Sequence, residues 1–145
     1  MLSLSAIQDA RRVIASSAIR TPLIRLNVPS TEIYLKLENL QPIGSFKIRG
    51  AANAIARLPP EKLELGVVTA SAGNMAQGVA WCARKLGIPC TVIAPATAPE
   101  TKINAIEWLG GRVIKVSFEE WWRAFEERSY PGVEGTFIHA FDDED

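Results

Sequence analysis

One histidine, two cysteines and no surplus of either charge set the first limits on this 145-residue chain. His139 alone cannot build a histidine metal site, and Cys82 and Cys90 have neither CxxC pairing nor metal-ligand spacing, so no metal is expected. The two cysteines read as buried, reduced thiols of a cytoplasmic protein. Sixteen basic residues balance sixteen acidic ones, which leaves no reason to expect nucleic acid or an anionic membrane as partner. The longest apolar stretches, GVAWCA and CTVIAPA, fall far short of the roughly 20 residues a bilayer span needs. MLSLSAIQDARR has no basic region ahead of an apolar core and no small-residue cleavage pattern, so no secretory signal is expected. GxGxxG is missing, and so is GxxxxGK followed by serine or threonine; a dinucleotide fold or a P-loop has no support. There are no internal repeats and no low-complexity segments.

What remains is a composition with 48% hydrophobic and 22% charged residues, which suits one globular domain with a real core. Ile7, Ala10, Val13 and Ile14 have helical spacing over 3–16, with Ser3 or Ser5 as cap. Leu23 to Leu26 and the EIYLKLE run from Glu32 to Glu38 read as strands. A helix is expected from about Ser45 to Leu58, burying Ala51, Ala52, Ala54, Ile55 and Leu58, with Pro59-Pro60 as its stop. Then the rhythm becomes regular. Strands at Gly66–Ala70, Cys90–Ala94, Arg112–Val116 and in TFIHA alternate with helices at Asn74–Leu86, Pro99–Leu109 and around Phe118–Phe125. Thr97 and Glu100 have capping-box spacing before the second of those helices. Such alternation predicts an α/β fold, a parallel sheet with flanking helices and right-handed crossovers.

Ligands of such sheets sit beyond the carboxyl ends of the strands. Ser71-Ala72-Gly73-Asn74 lies at one of them, ahead of a helix. Small residues there let backbone amides approach a carboxylate or phosphate. The same four residues also suit an ordinary strand-to-helix turn with a serine or asparagine cap. Lys47 is the second candidate. In PIGSFKIRGA, Gly44 permits an unusual backbone, Ser45 is a plausible cap, and the lysine falls in the first helical turn. The helix dipole opposes a cation there, and a neutral amine is what a carbonyl needs to form an imine. A solvated surface lysine is the alternative.

YLKLENLQPIGSFKIRGA, from Tyr34 to Ala51, resembles the lysine motif of the serine/threonine dehydratases, which are pyridoxal-phosphate enzymes of the tryptophan-synthase-β fold type. TASAGNMAQGVA, from Thr69 to Ala80, resembles the family's second motif at the expected distance. TPLIRL, APATAPETKINAIEWLGGRV and FIHAFDD extend the likeness over Thr21 to Asp143. The resemblance implies a Schiff base between Lys47 and pyridoxal 5'-phosphate, Phe46 beside the cofactor ring, and Asn74 on its phenolic oxygen. Ser71, Ala72 and Gly73 would hold the substrate carboxylate. The implied reaction turns L-threonine or L-serine into a 2-oxo acid and ammonia: Lys47 removes the α-proton, the β-hydroxyl leaves, and the released enamine hydrolyses.

Two departures stand inside these motifs. Met75 replaces a common histidine and is expected to point into a helix interface; Ile43 replaces a common threonine. Ala72 stands where racemases of the group carry a serine acid/base, which favours dehydration over racemisation. The sulfur-handling relatives differ after the lysine and in the asparagine loop. The family's organisation further implies that residues 1–51 belong to its large domain, 52–140 form a small α/β domain, and 141–145 are an acidic tail. Family members continue beyond FIHAFDD into a glycine-rich loop for the cofactor phosphate, and nothing here matches it. The chain therefore reads as a truncated dehydratase that holds its cofactor weakly, acting as a homo-oligomer or with a complementing C-terminal half. A non-catalytic α/β assembly module is the other reading. Arg49 and Glu38 are expected to pair near the lysine. Trp121, Trp122 and Phe125 read as core or interface anchors, with a ligand cage as the alternative, and His139 as structural; if the large domain is absent, part of that aromatic surface, or the Ile55 and Leu58 side, is open to exposure.

Overall fold

Ser3 begins the fold by accepting the amide of Ala6 on its side chain, and the helix it caps, α1, runs Leu4–Val13. A computed structural model describes residues 3–141. Two short strands follow, β1 (Leu23–Arg25) and β2 (Tyr34–Lys36), joined as an antiparallel ribbon with Ile24 opposite Leu35. The helix α2 spans Lys47–Ala56 and buries Ile48, Ala51, Ala52, Ala54 and Ile55. The short helix α3 (Pro60–Glu64) then leads into β3 (Val67–Ala70), α4 (Asn74–Leu86) and β4 (Cys90–Pro95). Helix α5 (Glu100–Trp108), β5 (Arg112–Val116), α6 (Phe118–Glu127) and β6 (Thr136–Phe137) complete the order.

The four later strands form one parallel sheet in the order β5-β4-β3-β6. All four residues of β3 are buried, as expected of an inner strand covered on both faces. One face carries α4 with α2 packed outside it, and its core joins Ile48, Ile55, Val79, Val92 and Ile106. The other face carries α6, whose Ala124, Trp121 and Phe125 meet Val68, Ile93 and Val116. Gly87 closes α4 in the left-handed region at φ 69°, and Ile88 donates back to the Ala83 carbonyl at 3.1 Å. Both cysteines are buried, which pushes their thiols up to about 12. Among the described residues, no helix is long and apolar enough to cross a membrane.

Some expectations need correction. Pro59-Pro60 does not simply end a helix; Pro60 occupies the first turn of α3, where its fixed φ and missing N–H cost nothing. Thr97 and Glu100 form no capping box. Ala98 donates to Pro95 in a turn, so the residue preceding α5 is Pro99, with no side-chain cap. The capping box of this chain is Ser117 with Glu120, at the start of α6 (3.2 and 3.0 Å). The TFIHA strand is shorter than expected, although Ile138 still donates to Val68 at 2.7 Å. Ile55 is not exposed: it is 1% accessible, and Leu58 is half-buried. The aromatic face of α6 is the exposed one, at Phe118 and Trp122, and further open apolar surface lies on the β1–β2 ribbon, where alternation puts Ile24, Leu26, Ile33 and Leu35 on one face, all exposed. The acidic run at 142–145 lies outside the described residues.

Candidate functional site

A tight turn delivers Lys47 to the head of α2. Gly44 adopts φ 68° and donates to the Gln41 carbonyl at 2.7 Å. The Ser45 hydroxyl, itself buried, accepts the Lys47 amide at 3.3 Å, which supplies part of the missing cap. Ile48 and Ala51, both fully buried, fix the helix just past the lysine. Arg49 secures the other side, donating twice to Glu38 at 2.8 Å. Glu38 also accepts from Thr21 (2.5 Å) and Gln41 (3.2 Å). The Arg49 hydrogen bonds, above all, hold the Glu38 carboxyl down to about 2.

The Lys47 amine crosses to the end of the sheet. It donates to the Ala140 carbonyl at 2.8 Å and lies 4.3 Å from the centre of the Phe141 ring and 5.7 Å from that of Phe46. The second candidate segment arrives at the same place. Ser71 follows the carboxyl end of β3, its amide donates to Ile93, and its hydroxyl accepts the Gly73 amide at 3.2 Å. Gly73 then precedes α4 without any side-chain cap, so amides of the first turn are left for another acceptor. Met75 is buried against α2, as its place after Asn74 suggested.

Lys47, Phe46, Ser71 and Asn74 thus line one cleft of about 520 Å³. Ala72 and Gly73 are half-buried in the loop beside it and do not line it. A smaller cavity of about 260 Å³ opens on the other side of Lys47, toward Asn53 and His139. His139 packs its ring 4.3 Å from that of Phe125.

The cleft has an aromatic wall, so the second reading of these rings, as lining for a ligand, holds beside the first. Trp121, Trp122 and Phe125 complete the lining, with Ala140 and Phe141. The three helical aromatics also pack on one another, so the expectation of anchoring holds only in part. A signal was present. Helix α6 starts two residues after the carboxyl end of β5, so its first turns lie at the same edge of the sheet as Ser71. No sequence signal marks the approach of Ala140 to Lys47, 93 residues away.

Comparison with known proteins agrees with this geometry. The family described as "Pyridoxal-phosphate dependent enzyme" matches residues 14–145. An L-threonine ammonia-lyase of Thermotoga maritima is 45% identical over 149 residues, covering 99% of this chain and 37% of that protein. Serine racemase from Dictyostelium discoideum superposes with a TM-score of 0.82 at 34% identity, over 98% of this chain and 48% of that one. Threonine deaminase isoform 2 from Solanum lycopersicum gives 0.76 at 33% identity, over 98% and 44%. The chain therefore spans less than half the length of each of these relatives.

Proposed function

We propose, since the chain belongs to the pyridoxal-phosphate dependent enzyme family, that it carries the lysine side of an active site for dehydrating deamination of L-threonine or L-serine. One observation carries the reading: Lys47, Ser71 and Asn74, gathered at two different helix starts, open on a single cleft. The residues suit the cofactor. A primary amine stands among ring faces, and the uncapped start of α4 offers amides to an anion. No run of glycines longer than Gly110-Gly111 occurs in the chain, so a glycine-rich cradle for the cofactor phosphate would come from outside these residues.

When bound, pyridoxal phosphate supplies an electron sink for the charge left at an amino acid's α-carbon. Lys47 provides the amine that holds the cofactor's aldehyde. With a substrate amine in its place, Lys47 would serve as the base that takes the α-proton. The loop of Ser71, Ala72 and Gly73 would hold the substrate carboxylate, Asn74 would hold the cofactor's phenolic oxygen, and Phe46 would pack beside its ring. The β-hydroxyl leaves with a proton as water. Water then converts the released enamine to a 2-oxo acid and ammonia, so one amino acid becomes one 2-oxo acid and one ammonia.

The reading brings its domain division: residues 1–51 as part of a large domain, 52–140 as the small domain and 141–145 as a tail. It also brings a partner, either further polypeptide completing the large domain or a second copy, and a cytoplasmic setting suited to reduced Cys82 and Cys90. The exposed apolar face of the β1–β2 ribbon supports the partner. The test is trapping. The chain is mixed with pyridoxal phosphate, reduced with borohydride and mapped by mass spectrometry. One adduct on Lys47, lost in Lys47→Ala, is expected. Labelling scattered over surface lysines would defeat the proposal.

A further inference from the structure

The rings of α6 do not stop at the sheet. Phe118 stacks on Trp122 at 6.5 Å, Trp122 on Phe125 at 5.6 Å, and Phe125 meets Phe141 edge-on at 6.0 Å. Phe141 in turn lies over the Lys47 amine. An aromatic surface therefore runs without a break from the first turns of α6 to the lysine. Its rings are not used up by packing: Trp122 is 45% exposed and Phe141 79%. The polar groups of the cleft, Lys47, Ser71 and Asn74, are gathered apart from the α6 rings on the two other helix starts.

This division has a chemical meaning. An amino acid held by its amine and carboxylate at the polar end would lay its side chain toward the rings. A hydroxymethyl group or a single methyl leaves most of that surface in water. A ring or a comparably large apolar group covers it, with the offset or edge-on contacts that aromatic pairs favour. Trp121 adds an independent mark. Its indole nitrogen is shielded from solvent and has no acceptor among the described residues. Orphaned donors are uncommon in a finished core, and this one belongs to a ring that lines the cleft.

We propose that the cleft accepts, beyond L-serine and L-threonine, β-hydroxy amino acids whose β-carbon carries an aromatic or similarly large apolar group and holds these more tightly, with Trp122 and Phe125 as the selecting residues. The proposal rests on the reading of Lys47, Ser71 and Asn74 as an amino-acid site, and its test separates the two. The probes are phosphopyridoxyl-L-phenylalanine and phosphopyridoxyl-L-alanine. Both are secondary amines without an aldehyde, so neither needs to bond to Lys47. Their affinities for the 145-residue chain are measured by calorimetric titration. The phenylalanine probe is expected to bind about tenfold more tightly, the scale on which apolar pockets discriminate. Trp122→Ala should shrink that advantage below about threefold, as should Phe125→Leu, which keeps an apolar side chain against the sheet. Trp108→Ala, at an exposed tryptophan outside the cleft, should leave it intact. Equal binding of the two probes overturns the selection while the amino-acid site stands. So does an advantage that survives both cleft variants. Failure of both probes to bind, with no borohydride adduct on Lys47, removes the site and the selection together.

Discussion

Glu38 accepts hydrogen bonds from Arg49, Thr21 and Gln41, and its side chain is only 18% exposed. Its carboxyl is held near 2, against an ordinary 4.5, chiefly by Arg49. A depressed carboxylate stabilises the fold in full above its unfolded value, and that contribution fades as pH falls through the folded value. Glu38→Gln should therefore cost about 2 kcal/mol at pH 7, and the gap from wild type should close between about pH 4.5 and pH 2. Urea unfolding at pH 7, 4 and 2.5 measures it. A gap of constant size across that range would mean the loss is one of packing. The same cluster stands beside the lysine turn, since Gln41 accepts the Gly44 amide on its carbonyl and Arg49 lies two residues past Lys47. The sequence suggests the pairing of Arg49 with Glu38 near the lysine, and the structure has it. Thr21 and Gln41 could not be added, because the four meet only when the chain near Ile19 folds back against α2.

Helix α6 shows what periodicity reveals and where it ends. Spacing at Phe118, Trp121, Trp122 and Phe125 marked an aromatic helix, and the structure has it. Which ligand-facing edge those rings share is a property of the sheet, not of the helix, so spacing alone ranks anchoring ahead of a ligand cage. The parallel strands were legible for a simpler reason: short β-branched runs such as VVTA and CTVIA, cut by glycine and proline, have few other uses. The helix caps were less legible, because spacing cannot choose between Thr97 with Glu100 and Ser117 with Glu120. Structure places the second pair in contact and leaves α5 without a side-chain cap. Ser117→Ala should then lower stability by about 1 kcal/mol, and Thr97→Ala by much less. Thermal unfolding of the two variants decides it, and the reverse ranking would put the box back at α5.

At the scale of the molecule, the uncovered feature is the β1–β2 ribbon. A two-stranded ribbon is marginal alone, and this one leaves Ile24, Leu26, Ile33 and Leu35 in water. The chain is expected to self-associate with rising concentration in sedimentation experiments. Replacing Ile24 and Leu35 with lysine should abolish that and leave the circular dichroism spectrum unchanged. Association of undiminished strength in the double variant would place the contact elsewhere, the exposed Phe118 and Trp122 of α6 being the next surface to vary. A different relation governs the cleft. Lys47 and Asn74 are the first residues of α2 and α4, and four residues on from each stand Ala51 and Gly78. A Cβ added at Gly78 would lie 3.4 Å from the Ala51 methyl and 3.4 Å from Ile43. That is ordinary contact distance, so the seam has room for one methyl group and no more, and the two helices act as the jaws of a caliper that a side chain larger than alanine at position 78 would open. The span between amine and asparagine is adjustable from a residue that touches no ligand, and Gly78 is where a designer would turn the screw.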